Sequence, residues 1–412
     1  MTAGLRRSFE SLRVPNYRRY FAGQLVSLSG NWMQTVAEVW LVLSLTGSGV
    51  AVGLVTALQF LPILLFGAWG GLLADRLAKR RLLIATQSLM ALPALALLGL
   101  SLGGAVEVWM VYLLVFSRGA INAVDNPTRQ SFVFEIVGAE RVVNAVSLNS
   151  VLVHAARIAG PGLAGILIAT AGIEFCFALN ALSFAAMIAA LSAMDPRLLE
   201  PAPPVAREPG AVRAALRYVR GTPELAVPLA LMALVGTLGL NFQVVLPLLA
   251  TDSFGGGASA YAALLCSMGF GSVVGALVIG ARARTGPRVI GFAALAFGAL
   301  SLLAASMPAL ALEIPVLAML GAASVTFAAA INSSLQLAVA PQMRGRVMAL
   351  YSVVFLGSTP IGGPLAGWLS QAYTPRAALL LAASAGVSAA WASWTLQSRL
   401  ERRQAVAAGI TE

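Results

Sequence analysis

The chain has 412 residues, of which 59% are hydrophobic and only 10% charged, with a net charge of +11. Soluble proteins carry about 25% charged residues, so a soluble globular protein is excluded. The basic excess would suggest nucleic acid only if it gathered on a soluble surface, and its placement along the chain decides that. Cys176 and Cys266 stand about ninety residues apart, without pairing pattern or metal-ligand spacing, and read as small apolar packers.

The opening MTAGLRRSFESLRVPNYRRY is long and basic ahead of the first apolar run, and no small-residue cleavage site follows. A removed signal peptide is therefore not expected, and the first apolar segment is expected to stay as an anchor. A window of about 20 residues, enough to cross roughly 30 Å of hydrocarbon, predicts twelve spans. They lie at 20–45, 49–74, 82–103, 107–127, 145–171 and 173–194, then 224–250, 258–281, 287–306, 312–337, 346–371 and 376–396.

Span one carries Gln24, Ser27, Asn31, Gln34 and Glu38 within an otherwise apolar run. At roughly 100° per residue, positions 27, 31, 34 and 38 fall within about 40° of one another on a helix. In a chain this apolar, such a stripe predicts a bilayer-spanning helix whose polar face turns away from lipid. Span four opens a second stripe with Arg118, Asn122, Asp125 and Arg129. Span five carries a third with Ser147, Ser150, His154 and Arg157, including the single histidine of the chain. Three polar faces in one half predict a shared aqueous cavity. Counting about 1.5 Å per residue puts Asn31, Arg118, His154 and Arg157 in the middle third and Glu38 nearer the outer surface.

Between spans six and seven, DPRLLEPAPPVAREPGAVRAALRYVRGTPEL reads as a Pro-rich linker followed by a basic amphipathic segment. It divides the chain into 1–194, a linker at 195–223, and 224–412. The second half offers mainly uncharged polar groups in its spans: Thr237, Asn241 and Gln243 on span seven, Thr326, Asn332 and Gln336 on span ten. GFGSVVG at 269–275 superficially matches a nucleotide-binding glycine loop, but inside an apolar span Gly271 and Gly275 predict a close helix-packing face.

Of the 27 basic residues, 24 fall before span one or in the even-numbered connections and the C-terminal tail, Arg376 falls in a loop on the opposite side, and Arg118 and Arg157 lie within spans. By the positive-inside rule both termini and the linker are cytoplasmic. The charge reports topology, and no nucleic-acid partner is implied. The halves also repeat: NPTRQ at 126–130 returns as NSSLQ at 332–336, ERVVNA at 140–145 as GRVMAL at 345–350, and GPGLAG at 160–165 as GPLAG at 363–367. A parallel repeat of six spans is the plan of the two halves of major facilitator transporters. The expected fold is all-α and integral to the membrane, with twelve helices in two six-helix bundles.

The loop after span two, GGLLADRLAKRRLL at 70–83, resembles the signature of the major facilitator superfamily in Gly71, Asp75, Arg76, Lys79 and Arg80, with Ala78 where a second glycine is usual. The matching loop of the second half, GALVIGARARTGPR, keeps Arg282 and Arg284 but lacks the aspartate. DNPTRQSFVFEIV and VNAVSLNSVLVHAARIAGPGLAG resemble the enterobactin-exporter and macrolide-efflux-like branch, and the likeness covers essentially the whole chain. The resemblance implies a cytoplasmic gate in which Asp75 caps the start of span eleven near Gly345, with Asp125 and Arg129 as further partners. For Arg76, Lys79, Arg80 and Arg81 a purely topological role is the competing reading. The resemblance also associates the Gly160–Pro161 bend with exporters.

The site expected from these residues is a substrate and proton pathway of Asn31, Gln34, Glu38, Arg118, Asn122, His154, Arg157, Asn241, Asn332 and Gln336. Glu38 either binds and releases a proton as the cavity opens to each side, or pairs with Arg157 or a water cluster and holds helices together. His154 is either a proton shuttle or an interior hydrogen-bonding group. No P-loop occurs, so ATP hydrolysis is not the expected energy source. No enzyme activity, cofactor or metal is implied. The expected function is proton-coupled export of a moderately hydrophobic small molecule, siderophore- or drug-like, by a monomer in the bacterial inner membrane. A small-solute importer and a transport-inactive membrane sensor are the alternatives.

Overall fold

In hydrocarbon each backbone N–H and C=O must find its partner within the protein, and helices do this segment by segment. The computed structural model describes residues 10–200, 211–282 and 286–407, and among them no strand occurs. Arg6, Arg7, Arg207, Arg284 and the Pro-rich stretch 201–210 lie outside the described residues, as do the side chains of Arg213, Arg282, Arg399, Arg402 and Arg403.

The helices are α1 (Pro15–Thr46), α2 (Gly49–Arg76), α3 (Lys79–Leu102), α4 (Val108–Thr170), α5 (Glu174–Ser192), the short α6 (Ala211–Arg220), α7 (Pro223–Gly239), α8 (Phe242–Leu248, continued by a π turn), α9 (Ala258–Arg282), α10 (Pro287–Ser306), α11 (Leu310–Ala338), α12 (Arg344–Gly357), α13 (Thr359–Ala372) and α14 (Pro375–Ala407). Ten helical segments of the described residues are long and apolar enough to cross a membrane. Within that set α4 counts once, yet its 63 residues extend about 95 Å at about 1.5 Å per residue, two crossings of a bilayer. With α1, whose 32 residues suffice but whose polar stripe lowers its hydropathy, the described residues supply twelve segments long enough to cross.

Three elements differ from the sequence expectation. Spans four and five are joined by helix, broken only at Gly138, where φ is 70° and ψ 176°. That conformation is left to glycine because it has no Cβ, and the polar connection on either side stays helical. At the break the Glu200 N–H reaches the Glu135 carbonyl at 2.8 Å. Span seven is divided at Leu240–Asn241 into α7 and α8. Span eleven is divided at Ser358 into α12 and α13, just ahead of Pro360, whose ring disfavours a continuous helix before it.

The chain forms two compact units: Met1–Gly47 with Leu58–Ala206 and Gly257–Cys266, and Ser48–Ala57 with Arg207–Gly256 and Ser267–Glu412. In the first, α1 packs along α4 and α5, and α3 against α4 and α5. Its N-terminal end is an aromatic and aliphatic cluster of Tyr17, Tyr20, Leu83, Phe132, Met187 and Leu191. Tyr20 meets Phe132 edge-on at 5.8 Å, an arrangement the ring quadrupoles favour. The Tyr17 hydroxyl donates to the Ala145 carbonyl at 2.8 Å. Asn16 and Asp195 exchange two hydrogen bonds, of 2.8 and 3.0 Å, tying the start of α1 to the chain beyond α5.

Lipid is as apolar as leucine, so helices in a membrane associate through close packing and hydrogen bonds rather than hydrophobic burial. Small residues set the approach. In the second unit a Cβ on Gly271 would run into the Ala318 carbonyl, and one on Gly275 would stand 2.5 Å from that of Ala322, as the GFGSVVG reading anticipates. There α10 also packs along α14, where a Cβ on Gly386 would lie 2.7 Å from the Gly298 Cα. Large apolar side chains such as Leu65, Leu92, Leu113, Leu182, Leu277 and Phe292 point outward, as a hydrocarbon solvent requires.

Candidate functional site

The stripe of α1 is a seam that engages three helices in turn. Nearest the start of α1, Gln24 Oε1 accepts from the Arg129 guanidinium, and Arg129 pairs with Asp125 one turn earlier on α4. The second Asp125 oxygen accepts from Thr86 Oγ1 at 2.6 Å and Gln87 Nε2 at 2.8 Å, both on α3. Ser27 donates to Gln87 Oε1 at 3.2 Å, joining the stripe to the same cluster. Asn31 turns its amide back to the Ser27 carbonyl at 2.9 Å.

Higher on α1, Gln34 Nε2 donates to Glu38 Oε1 at 2.8 Å. Gln34 Oε1 accepts from Asn180 of α5, and Ser183 donates to Asn180 Oδ1 at 2.8 Å. The other Glu38 oxygen is ion-paired with Arg118 of α4, whose guanidinium also reaches Thr35 Oγ1 at 3.3 Å. Gln59 of α2 donates to the same hydroxyl at 3.4 Å. Gln34 and Glu38 expose 0% and 1% of their surface, so here they are packed within the unit instead of facing water. The sequence pattern pointed to a wet face because it could not show that α4 and α5 supply matching polar groups. Glu38 pairs with Arg118 and not with Arg157. One buried polar atom of the pair, Arg118 Nε, has no acceptor.

Arg157 instead lies over the Trp32 indole, 5.0 Å from the ring centroid. Both are half-buried, as are Asn122 and His154, and His154 Nδ1 has no hydrogen-bond partner. The approach is set one turn on, where a Cβ at Gly160 would lie 2.5 Å from the Trp32 Cβ and 2.7 Å from the Ser29 carbonyl oxygen.

Of the signature residues, Gly71 is buried, Asp75 half-buried and Arg76 exposed. Lys79 is buried and pairs with Glu135 of α4 at 2.6 Å. Arg80 donates to the Leu191 and Ser192 carbonyls at 2.7 and 2.8 Å, closing the C-terminal end of α5, where a cation is favoured. These two residues thus hold structure beyond any topological signal. In the second unit Asn241 is buried, donating to the Thr237 carbonyl at 2.7 Å while its Oδ1 has no partner. Gln336, which is exposed, donates to Asn332 at 2.5 Å. Sequence reasoning missed Asn180, Gln87, Thr86 and Glu135, which complete the network. It also missed Glu313 in the first turn of α11, fully buried with both carboxylate oxygens unpartnered.

An all-helical chain whose described residues supply twelve segments long enough to cross a membrane is consistent with the major facilitator fold. Solved structures agree: a bacterial homolog of the human lysosomal transporter Spinster superposes with a TM-score of 0.72 over 93% of this chain and 95% of that one, at 14% identity. The nucleoside transporter NupG gives 0.74 over 92% and 98%, at 12% identity. The family model described as transmembrane secretion effector matches residues 7–408, and the chain belongs to that family of the superfamily. Relatives include the staphyloferrin A transporter of Staphylococcus aureus, 24% identical over 63% of this chain and 66% of that protein. Macrolide efflux protein A of Streptococcus pyogenes is 25% identical over 83% and 86%, and the enterobactin exporter EntS of Salmonella choleraesuis 27% identical over 88% and 87%. The chain spans less than two thirds of the length of the staphyloferrin A transporter and 38% of YfiS, an MFS-type transporter of Bacillus subtilis.

Proposed function

We propose that this chain is a proton-coupled exporter of a moderately hydrophobic small molecule, siderophore- or drug-like, working by alternating access in the bacterial inner membrane with both termini cytoplasmic. The bundles that alternate are residues 1–194 and 224–412, joined by the linker 195–223. Family membership and relatives named for siderophore and macrolide export support the substrate class and direction. The observation that carries the coupling is the Glu38–Arg118 pair, a carboxylate and a guanidinium buried together between two membrane helices and linked through Gln34 to Asn180.

A buried pair of this kind is sensitive to one proton. Neutralising Glu38 removes the Coulombic partner of Arg118 and leaves a cation in low dielectric, so the arrangement of α1 against α4 loses its main electrostatic reason. Arg118 then gains by moving toward water or an acceptor. A proton at one carboxylate is thereby converted into a bias between two helix arrangements. The Asp125–Arg129 pair lies farther along α4 and the Lys79–Glu135 pair joins α3 to α4; with Gly71, Asp75, Arg76 and Arg80 they form the gate in this reading. The test is accumulation of a panel of macrolides and catechol-bearing compounds in everted vesicles. Uptake that appears with an inwardly acidic pH gradient and collapses with a protonophore supports the proposal; uptake indifferent to the gradient refutes proton coupling.

A further inference from the structure

The buried carboxylates of the first unit are committed: Glu38 to Arg118, Asp125 to Arg129 and Glu135 to Lys79. Arg157 is left as a cation with no carboxylate against it among the described residues. It lies on the face of Trp32, with His154 one turn earlier on the same side of α4. A charge inside a membrane protein is costly and marks a functional position unless it is paired. Here the indole supplies only partial compensation, through its π face. Arg157 is half-buried, and no carboxylate takes up its hydrogen-bond donors among the described residues. His154 Nδ1 adds a buried polar atom that also lacks a partner.

We infer that Arg157, Trp32 and His154 form an anion-binding subsite that takes the carboxylate of a flat, aromatic or similarly planar substrate. This deepens the export reading above, and rests on it, by assigning the substrate a negative charge. A planar guanidinium offers a fork of N–H groups matched to a carboxylate. Its place over the Trp32 ring restricts the side chain before a ligand arrives, so less side-chain entropy is lost on binding. The ligand's ring system extends along the indole, and His154 contributes one further polar contact. Gly160 is the structural condition for the subsite: only a residue without a Cβ lets α4 come near enough to α1 to lay Arg157 on Trp32.

The probe is 2-naphthoate, with its neutral methyl ester as the control, titrated calorimetrically into the purified wild-type chain in uncharged detergent. The acid should bind at least tenfold tighter than the ester, the ratio expected of one charge-assisted hydrogen-bonded contact. Arg157→Gln should erase the preference, Arg157→Lys should keep part of it, and Trp32→Leu should weaken acid and ester together. Equal affinity of acid and ester for the wild type overturns the subsite without any variant having to fold, as does an unchanged preference in Arg157→Gln. The vesicle panel decides export separately. A clear acid preference in a chain that exports nothing leaves the subsite standing and the export reading refuted. Export with no acid preference does the reverse.

Discussion

Substituting Glu38 by glutamine isolates what the buried pair contributes. Glutamine keeps the size of the side chain and an acceptor for Gln34, but it removes the charge that faces Arg118. With Glu38 at 1% and Arg118 at 4% exposure, bulk solvent does not reach the pair, and Arg118 Nε already lacks an acceptor. Leaving one member of a buried pair uncompensated costs about 3–5 kcal/mol. An unfolding entropy of about 2.1 cal/mol/K per residue gives about 0.9 kcal/mol/K for a chain of this length, so Tm should fall by about 3–6 °C. Scanning fluorimetry of the detergent-purified variant reads this directly. Arg118→Met in the Glu38→Gln background removes the orphaned cation and should restore at least half of the loss. A single Glu38→Gln variant that melts with the wild type, or a double variant that melts lower still, would refute the view that the pair is electrostatically linked.

Other sites give independent outcomes. Lys79→Met should lower Tm by several degrees, because it leaves Glu135 buried without its cation, and adding Glu135→Gln should recover most of that; an unshifted single variant would put the pair at the level of an exposed one. Gly160→Val should lose folded yield or melt markedly lower, since its side chain meets Trp32 and the Ser29 carbonyl, with Gly160→Ala milder; a size-independent response would argue against close packing there. Glu313→Met should raise Tm, because it replaces a fully buried carboxylate whose oxygens find no partner by an apolar group of similar length; a lower Tm would show that the carboxylate is held by an interaction worth more than its burial. For topology, Ser48→Cys should react with an impermeant maleimide in intact cells and Ala139→Cys should not, on a background lacking Cys176 and Cys266; labelling of Ala139→Cys would invert the orientation.

Most of the fold was legible because a bilayer imposes a length and a polarity on each crossing. The long apolar runs, the GFGSVVG packing face and the polar periodicity of α1 all follow from that constraint. Gly138 was not legible as a break, since it sits in a polar stretch that reads as loop and is helix on both sides. Span eleven carried a signal in Pro360, and its break falls two residues earlier, at Ser358. Within the site, spacing showed that Gln34 and Glu38 share a face, yet it could not show which helix answers it. Asn180 lies 146 residues from Gln34 in a span whose interior holds no other amide or charge, and the choice between Arg118 and Arg157 for Glu38 depends on helix rotation. A single buried asparagine in an apolar span was the available signal, and it would have marked α5 as a partner. Glu313 was hidden at a helix start, where acidic residues are ordinary.

The central claim is that a proton moving through Glu38 drives substrate the other way. The direct measurement uses proteoliposomes of purified chain loaded with a pH-sensitive dye and held without a membrane potential, to which a compound found active in the vesicle panel is added outside. Substrate entry should alkalinise the lumen in the wild type, because protons leave as substrate enters, with no proton signal in Glu38→Gln while downhill exchange of labelled substrate continues; acidification on entry would mean symport. Substrate movement without any proton signal in the wild type, or an undiminished signal in a well-folded Glu38→Gln, would contradict the account.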